Sequence, residues 1–372
     1  MRIAIDARGI NWYHGTGIGT YTDNVVRNLL NIDTNNYYRL YWSERNWEDF
    51  IRSNTSIIMT SKKHTRFFEQ NYINEDLIKS NIDIYHVPQN GIGLNLEANC
   101  KKVITIHDLI PYIMPETVGK GYLLKFLKEV PNLIQDVDGI ITVSEYSKKD
   151  ILKFFPIDPE KIFVTPLAAD SIYKPLDKGL CREFISKKYN LNKPFILYVG
   201  GFSSRKNVRL LINSFLEVFP LLNKDHILVI AGARKDIGEY LNKKYSNLSS
   251  KIVFTGFIPQ EELPLFYNSC EAFVYPSLYE GFGLPPLEAM SCGAPVITSK
   301  VTSIPEVIGD NGLLIDPNAA DDLAEALEKL LNDETLKKDF SEKGLKQASK
   351  FSWENTALKT FEAYKSILSR ST

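Results

Sequence analysis

Short apolar runs and longer amphipathic runs alternate along the whole chain. The short runs are rich in Val, Ile, Phe and Tyr, which is typical of strands buried on both faces of a parallel sheet. The longer runs, such as TYTDNVVRNLL (20–30), repeat apolar residues at helical spacing. This alternation predicts parallel β-sheets whose strands are joined by crossover helices.

The predicted strands form two series. The first series is 2–6, 37–42, 56–60, 82–86, 102–106, 139–143 and 162–165. The second series is 195–199, 227–231, 252–255, 272–275, 296–298 and 312–315. We therefore predict an α/β protein with two Rossmann-like, doubly wound domains. They span 1–170 and 195–351, joined by a linker and first helix at 171–194. A helix at 352–372, with Ser352 as its N-cap, is expected to cross back to the first domain.

Composition narrows the class of protein. The 372 residues carry a formal net charge of -1, which argues against nucleic acid as the main partner. The four cysteines lie far apart at Cys100, Cys181, Cys270 and Cys292, without metal or redox spacing. The N-terminus lacks a signal-peptide pattern, and no apolar run approaches the ~18 residues that span a bilayer. We expect a cytoplasmic protein, at most peripheral at the inner face of the cell membrane.

The most informative stretch is YPSLYEGFGLPPLEAMSCGAP (275–295), which follows a predicted strand. A helix should begin near Leu284, because the two prolines after it fit only a first helical turn. Phe282, Gly283 and Leu284 then present backbone amides, and seven residues separate the flanking carboxylates of Glu280 and Glu288. Amides suit a phosphate and carboxylates suit hydroxyls, so this end predicts a sugar-nucleotide site. The alternative is a glycine-rich turn with a capping glutamate.

These residues resemble a known family. Glu280 and Glu288, with GFGLPPLEAM, are similar to the paired-glutamate motif of retaining glycosyltransferases of family 4, which have the GT-B fold. The resemblance implies two Rossmann-like domains that face a central cleft. It also implies that Glu280 contacts the donor sugar and that Glu288 contacts the ribose.

A glycine-rich segment, GTGIGTY (15–21), follows the first strand. Gly15, Gly17 and Gly19 would let the backbone approach a phosphate or sugar closely. The spacing is not that of a nicotinamide-binding fingerprint, and a flexible loop without a ligand is the alternative. DARGI…GTGIGTYT resembles the opening of bacterial mannosyltransferase-like members, which implies that the loop borders the donor phosphates and the acceptor.

A histidine follows another strand of the first series, in ITIHDLIPYIMPE (104–116). At the strand's carboxyl end, His107 is expected to donate a hydrogen bond to a sugar hydroxyl or to position an acceptor. Alternatively, His107 and Asp108 only cap the next turn. The phrase HDL followed by PE resembles a family motif in which the histidine reaches the transferred sugar.

Two adjacent cations follow the first strand of the second series, in YVGGFSSRKNVRLLINSF (198–215). Gly201 clears space, and Arg205 and Lys206 can neutralise a diphosphate. Asn207 is expected to cap the next helix. A solvated surface pair is the alternative, but the segment resembles the diphosphate-binding RKN motif of the family.

Together these features predict a retaining hexosyltransferase of polysaccharide biosynthesis. His107, Arg205, Lys206 and Glu280 are the expected catalytic residues. The similarity of the opening favours GDP-mannose as donor, with UDP-glucose or another UDP-sugar as the alternative, and a saccharide or lipid-linked saccharide as acceptor. A sugar-nucleotide epimerase and a non-catalytic sugar-nucleotide-binding subunit stay open. No cofactor or metal is expected, because the two cations can replace a divalent ion.

One helical segment suggests a membrane contact. The stretch 118–134 places apolar residues on one face and Lys120, Lys125 and Lys128 off it. The apolar residues of this face are Tyr122, Leu123, Phe126, Leu127 and Val130. Such a helix can lie on an anionic bilayer, or its apolar face can pack on the first domain's sheet.

Overall fold

The computed structural model describes residues 1–95, 97–233 and 236–370 of the chain. The chain divides into two compact units. Unit 1 is Met1–Leu167 together with the C-terminal segment from Ser352 onward, and unit 2 is Ala168–Phe351. The first unit thus ends within three residues of position 170, and the last helix belongs to unit 1.

Unit 1 contains a seven-stranded parallel sheet in the order β3-β2-β1-β4-β5-β6-β7. Its strands are β1 (Arg2–Asp6), β2 (Tyr37–Trp42), β3 (Thr55–Met59), β4 (Ile84–Val87), β5 (Lys101–Ile106), β6 (Gly139–Thr142) and β7 (Ile162–Val164). Strands β4 and β6 are buried at every residue, as their continuous apolar runs predict.

Unit 2 contains a six-stranded parallel sheet in the order β10-β9-β8-β11-β12-β13. Its strands are β8 (Phe195–Val199), β9 (Ile227–Ala231), β10 (Ile252–Gly256), β11 (Ala272–Tyr275), β12 (Val296–Ser299) and β13 (Leu313–Ile315). The fold class predicted from the sequence, two Rossmann-like parallel-sheet domains, is confirmed.

Helices connect the strands of both units. Those before β8 are α1 (Gly9–Trp12), α2 (Gly17–Ile32), α3 (Thr65–Phe67), α4 (Ile73–Lys79), α5 (Ile110–Ile113), α6 (Lys120–Asp136), α7 (Glu145–Phe154) and α8 (Lys178–Tyr189). Those after β8 are α9 (Val208–Val218), α10 (Asp236–Lys244), α11 (Leu263–Ser269), α12 (Leu284–Ser291), α13 (Ile304–Ile308), α14 (Ala320–Asn332), α15 (Glu334–Ala348) and α16 (Trp353–Ser369).

The observed strand bounds agree with the predicted ones to within two residues. The largest shift is at β4, where the apolar pattern predicted a start at Ile82. The Ile82 amide instead donates to the Leu77 carbonyl at 3.0 Å and so closes the end of α4. Apolar periodicity cannot separate a buried residue that ends a helix from one that begins a strand.

Strand order fixes where a ligand can bind. In each sheet the order reverses between two neighbouring strands, β1 and β4 in unit 1 and β8 and β11 in unit 2. The loops that leave the carboxyl ends of such a pair diverge, and the crevice between them is the usual ligand site of an open parallel sheet. Arg205 and Lys206 follow β8, and Glu280 follows β11.

Helix α16 is anchored in unit 1 by buried polar contacts. Its N-cap is Ser352, as predicted, whose side chain accepts from the Asn355 amide. Further along, the Tyr364 hydroxyl lies 2.6 Å from Nδ1 of His86, and Nε2 of that histidine lies 2.8 Å from the Thr105 hydroxyl. The last helix therefore helps to fix β4 and β5, the strands that lead into the polar end of unit 1.

The apolar face of α6 packs largely inside unit 1. Phe126 and Val130 are fully buried in its core, as the packing alternative for this helix requires. Leu127 and its neighbour Leu124 are 42% and 70% exposed. Among the described residues, no helix is long and apolar enough to cross a membrane.

Candidate active site

Glu280 is the centre of a buried ionic cluster in unit 2. Nη1 of Arg205 lies 2.7 Å from its Oε1, and Nζ of Lys206 lies 2.6 Å from the same oxygen. The hydroxyls of Tyr275 and Ser277 also donate to Oε1. Every contact that the described residues make to this carboxylate goes to Oε1, so Oε2 can accept from a ligand hydroxyl.

The cluster keeps the Glu280 carboxylate ionised. Burial raises the pKa of Glu280, but Lys206 and Arg205 outweigh it and lower the pKa from 4.5 to about 2. Arg205 and Lys206 thus both contact one oxygen of this carboxylate. The two cations are held at this end of the loop before any ligand binds.

The loop that carries Glu280 is fixed by hydrogen bonds from the segment before α13. The Ser303 hydroxyl donates to the carbonyls of Glu280 and Phe282 at 2.8 and 3.0 Å. The Glu280 amide donates to the Thr302 hydroxyl at 3.2 Å. Gly283, after Phe282, has φ +112, and a Cβ on this residue would lie 2.7 Å from Cδ1 of Ile304. The loop therefore requires glycine at this position.

Helix α12 begins at Leu284, as the sequence predicted, with prolines in its first turn. Pro285 and Pro286 have no amide hydrogen, so they supply no donor at this end. The amide hydrogens at this end of the helix therefore belong to Leu284 and to the loop residues before it, Phe282 and Gly283.

Glu288, one turn into α12, lies in a different environment. The Tyr267 hydroxyl donates to its Oε2 at 3.0 Å, and Tyr173 and Asp170 lie beside it. Burial raises the pKa of Glu288 from 4.5 to about 7, and Asp170 adds to the rise. The two glutamates of the motif are therefore separated in protonation: one is firmly ionised and the other titrates near neutrality.

The segment after β8 differs from the prediction at Asn207. This residue does occupy the N-cap position of α9, but its side chain makes no cap hydrogen bond. Nδ2 of Asn207 instead donates to the Pro317 carbonyl at 2.6 Å, and the backbone has φ +56. Asparagine tolerates this left-handed conformation, which turns the chain from Lys206 into the helix. A Cβ placed on Gly201 would have no neighbouring atom within 4 Å.

The glycine-rich segment of unit 1 is mostly helix rather than loop. Helix α2 begins at Gly17, and the Thr16 hydroxyl caps it by accepting from the Gly19 amide at 3.4 Å. A Cβ on Gly19 would lie 2.3 Å from the Tyr13 carbonyl oxygen, so packing alone requires that glycine. Gly15, with φ +74 and open space around it, is the residue of the three that lies in a loop.

His107 follows β5 and is held in one tautomer. Its Nε2 lies 3.0 Å from the Pro88 carbonyl, which only accepts, so Nε2 carries the proton. Burial lowers the pKa of His107 to about 4, so the ring is neutral at pH 7. The Tyr21 ring packs edge-on against the His107 ring, with 4.8 Å between the ring centroids. Nδ1 is therefore an acceptor, and the expectation that this ring donates a hydrogen bond is corrected to accepting one.

Several residues of these clusters were not singled out in the sequence. Tyr275 and Ser277 lie within the quoted motif, where the sequence pattern predicts only a strand and a turn. Tyr267, on α11, reaches Glu288 from outside that motif. For Tyr275 and Ser277 the sequence does offer a signal, since hydroxyl side chains shortly before a glutamate can donate hydrogen bonds to its carboxylate. Nothing local marks Tyr267, because its role depends on how α11 packs against α12.

Among the described residues, no group of three or more His, Cys, Asp or Glu side chains could hold a metal ion. The three buried cysteines, Cys181, Cys270 and Cys292, are free thiols.

Replacing Glu280 by glutamine should destabilise unit 2. The free energy of unfolding of the mutant should fall by about 2–4 kcal/mol at pH 7, because Arg205 and Lys206 would lose the countercharge of Glu280. The folded pKa lies below the ordinary one, so the ionised carboxylate stabilises the fold above pH 4.5 and this contribution fades towards pH 2. Chemical denaturation followed by circular dichroism at pH 7 and pH 3.5 measures the gap between wild type and mutant.

The gap should be smaller at pH 3.5 than at pH 7. Glu325→Gln, an exposed change on α14, is the matched control and should stay close to wild type at both values. An equal gap at both pH values would mean that the ionised form of Glu280 is not what stabilises the cluster.

Comparison with known proteins agrees with this geometry. Models of "Glycosyltransferase Family 4" and "Glycosyl transferases group 1" match residues 16–171 and 182–347. O-antigen chain mannosyltransferase B of Escherichia coli is 35% identical over 285 residues, 76% of this chain and 74% of that protein. Serotype-specific mannosyltransferase WbdA of Escherichia coli is 32% identical over 279 residues, 73% of this chain but 34% of that protein.

A solved structure shares the fold. Sucrose-phosphate synthase from Thermosynechococcus elongatus superposes with a TM-score of 0.75 at 20% identity, over 98% of both chains. The chain belongs to the glycosyltransferases of family 4 and has the GT-B fold.

Proposed function

We propose that this glycosyltransferase transfers mannose from GDP-mannose to a saccharide or lipid-linked saccharide, with retention of the anomeric configuration. The observation that carries the proposal is the ionic cluster of Glu280, Arg205 and Lys206 at the switch point of unit 2. It joins a cationic site for a diphosphate to a carboxylate oxygen for a sugar hydroxyl. Mannose is supported by the names of the two bacterial relatives, both mannosyltransferases.

The proposed chemistry needs charge stabilisation more than a protein nucleophile. The bond between the anomeric carbon and the β-phosphate oxygen breaks while the acceptor oxygen bonds to the same face of that carbon. The acceptor proton passes to the departing phosphate oxygen, and nucleoside diphosphate leaves. Arg205 and Lys206 stabilise the negative charge that grows on the diphosphate, and they are already desolvated and oriented before the reaction.

The remaining residues are assigned to binding. Oε2 of Glu280 accepts from a donor-sugar hydroxyl, and the amides of 282–284 bind sugar or phosphate oxygens. Glu288 accepts from the ribose. In unit 1, Nδ1 of His107 accepts from a hydroxyl of the transferred sugar or the acceptor, and Gly15 lies in the loop nearest the start of α2. These assignments follow the local geometry of each unit taken separately.

A panel of nucleotide sugars tests the proposal. GDP-mannose with a mannoside acceptor should give an α-linked product, detected by NMR at the new anomeric centre. Preference for a UDP-sugar would change the donor but keep the class of reaction. A β-linked product would contradict retention and indicate an inverting transferase. An altered nucleotide sugar released without acceptor would contradict the transferase and favour an epimerase. Binding without any turnover would favour the non-catalytic subunit.

Removing either cation should slow transfer strongly. Arg205→Ala and Lys206→Ala should each lower the rate by roughly 10²–10³, or about 3–4 kcal/mol of transition-state stabilisation. Steady-state transfer rates and thermal unfolding of the same samples separate loss of catalysis from loss of fold. Lys329→Ala, which changes an exposed lysine on α14, should keep wild-type turnover. Near-normal rates in both site variants would contradict the diphosphate assignment.

Nucleotide binding should release a proton near neutrality. Ribose hydroxyls donate to the ionised form of Glu288, whose pKa of about 7 in the free protein means that it is mostly protonated at pH 6. Affinity for GDP should therefore rise about tenfold between pH 6 and pH 8 beyond the rise caused by GDP itself. Calorimetry on wild type and Glu288→Gln isolates the difference, since both share the titration of GDP. Identical pH profiles would rule out this role.

We propose that the reaction needs no divalent metal, since two fixed cations meet the diphosphate. Transfer should keep at least half of its rate in excess EDTA, measured after dialysis against chelator. An absolute dependence on manganese or magnesium would contradict this proposal.

We also propose a peripheral contact between α6 and an anionic membrane surface. Leu124 and Leu127 are exposed, and Lys120, Lys125 and Lys128 lie on the same helix. Wild type should co-sediment with phosphatidylserine vesicles at low salt, and reversal of the three lysine charges should abolish this. Absence of wild type from the vesicle pellet at low salt would contradict the contact.

A further inference from the structure

A second polar site lies in unit 1, in an open groove of about 530 Å³. It is bordered by the helical segment around Glu69, the loop that contains Gly93, and the second half of α6. Its polar lining is mainly carboxylates and carboxamides: Glu69, Glu97, Glu129, Gln70, Asn95 and Asn132. These groups accept and donate hydrogen bonds in the way that sugar hydroxyls require.

The wall of the groove at Glu69 is built from within the unit. Nη2 of Arg8 lies 3.1 Å from Oε1 of Glu69 and 2.6 Å from Oδ2 of Asp6, and the Arg8 side chain is fully buried. Among the described residues, Arg8 is the only hydrogen-bond partner of the Glu69 carboxylate and uses Oε1, so Oε2 can accept from a ligand. A buried arginine thus holds this carboxylate in position.

Local backbone geometry also helps to position the Glu69 carboxylate. Gly93 has φ +95, and a Cβ there would lie 2.5 Å from Oε1 of Glu69. Glu69 and Gln70 lie on a single π-helical turn, Phe68–Tyr72, between α3 and α4. Such turns insert an extra residue into a helix and are frequent at functional sites. Gly93 thus leaves room for the Glu69 carboxylate, and the π-turn carries both Glu69 and Gln70, which line the groove.

The groove adjoins the end of unit 1 that carries His107. The His107 amide donates to Oδ1 of Asn90 at 2.9 Å, and Nδ2 of Asn90 donates to the Tyr122 hydroxyl at 2.6 Å. Tyr122 and Glu129 are on α6, seven residues or about 10 Å apart at 1.5 Å per residue. At this distance the groove cannot hold the acceptor hydroxyl that reacts near His107. It can hold the next sugar residues of the same acceptor.

Charge in the groove restricts the ligand. Three lining carboxylates face one lining ammonium group, that of Lys128, so a phosphate or an acidic sugar would be repelled. The carboxylates do not converge into a metal-binding group anywhere in the described ranges. A neutral, hydroxyl-rich ligand fits both observations.

We propose that this groove binds the inner sugar residues of a neutral saccharide acceptor, behind the residue that receives the transferred sugar. The proposal rests on the transferase function proposed above and adds the chemical class of the acceptor. It makes Gln70 and Asn132, two exposed carboxamides on different segments of the lining, determinants of acceptor length.

Acceptors of different length test the groove. For wild type, the KM of α-mannotriose should lie below that of methyl α-mannoside. The double variant Gln70→Ala/Asn132→Ala should raise the KM of the trisaccharide about 10–30-fold, from two lost hydrogen bonds at about fivefold each. The KM of methyl α-mannoside should change less than about twofold. Saturation-transfer NMR with α-mannotriose alone should show binding to wild type and its loss in the variant.

A matched control removes two exposed carboxamides from the same unit. Asn31→Ala/Asn35→Ala lies near the amino end of β2, at the opposite edge of the sheet, and should keep wild-type length dependence. If the groove variant transfers mannose with the same dependence of KM on acceptor length as wild type, the groove is not the acceptor site. The proposed transferase function would still stand. If wild type transfers to no mannoside, the proposed acceptor is wrong. In that case, absence of mannotriose binding by NMR overturns the groove proposal as well.

Discussion

The carboxylate of Glu280 is the constraint on which the donor side of this protein depends. It follows β11, whereas Arg205 and Lys206 follow β8, so their contact ties together the two loops that diverge at the switch point. None of the three side chains could be buried alone, because an unpaired buried charge is strongly destabilising. Pairing makes the burial tolerable, and the contacts to Oε1 leave Oε2 of Glu280 available to a ligand.

Unit 1 repeats this arrangement with different groups. Asp6 and Arg8 lie at the end of β1, and Nε2 of Gln89, after β4, donates to Oδ2 of Asp6 at 2.6 Å. A hydrogen bond to a buried ion pair thus joins the loops at that switch point. Its outer partner is the carboxylate of Glu69, which presents an acidic rather than a cationic surface. The two units share one topology, and we propose that they use it for different ligands, a diphosphate in unit 2 and neutral hydroxyls in unit 1.

Fold and motif positions were predictable from the sequence because strand burial and helix capping are local. The apolar runs located the strands, the prolines located the start of α12, and Ser352 located that of α16. Side-chain partnerships were not predictable in this way. The contact of Glu280 with both cations, the hydrogen bond from Tyr267 to Glu288 and the tautomer of His107 depend on distances between segments far apart in the chain. The packing of the glycine-rich segment was unpredictable for a related reason: a Cβ on Gly19 would lie 2.3 Å from the Tyr13 carbonyl oxygen.

The most direct test of the central claim is to compare the binding of GDP and GMP to wild type and Lys206→Ala by calorimetry. If the cluster receives the diphosphate, wild type should bind GDP more tightly than GMP. The mutation should reduce that ratio by about tenfold or more, the effect of one charge-assisted contact of roughly 1.5–3 kcal/mol. Affinity for GMP should change little. An unchanged ratio would place the β-phosphate away from Lys206 and contradict the account.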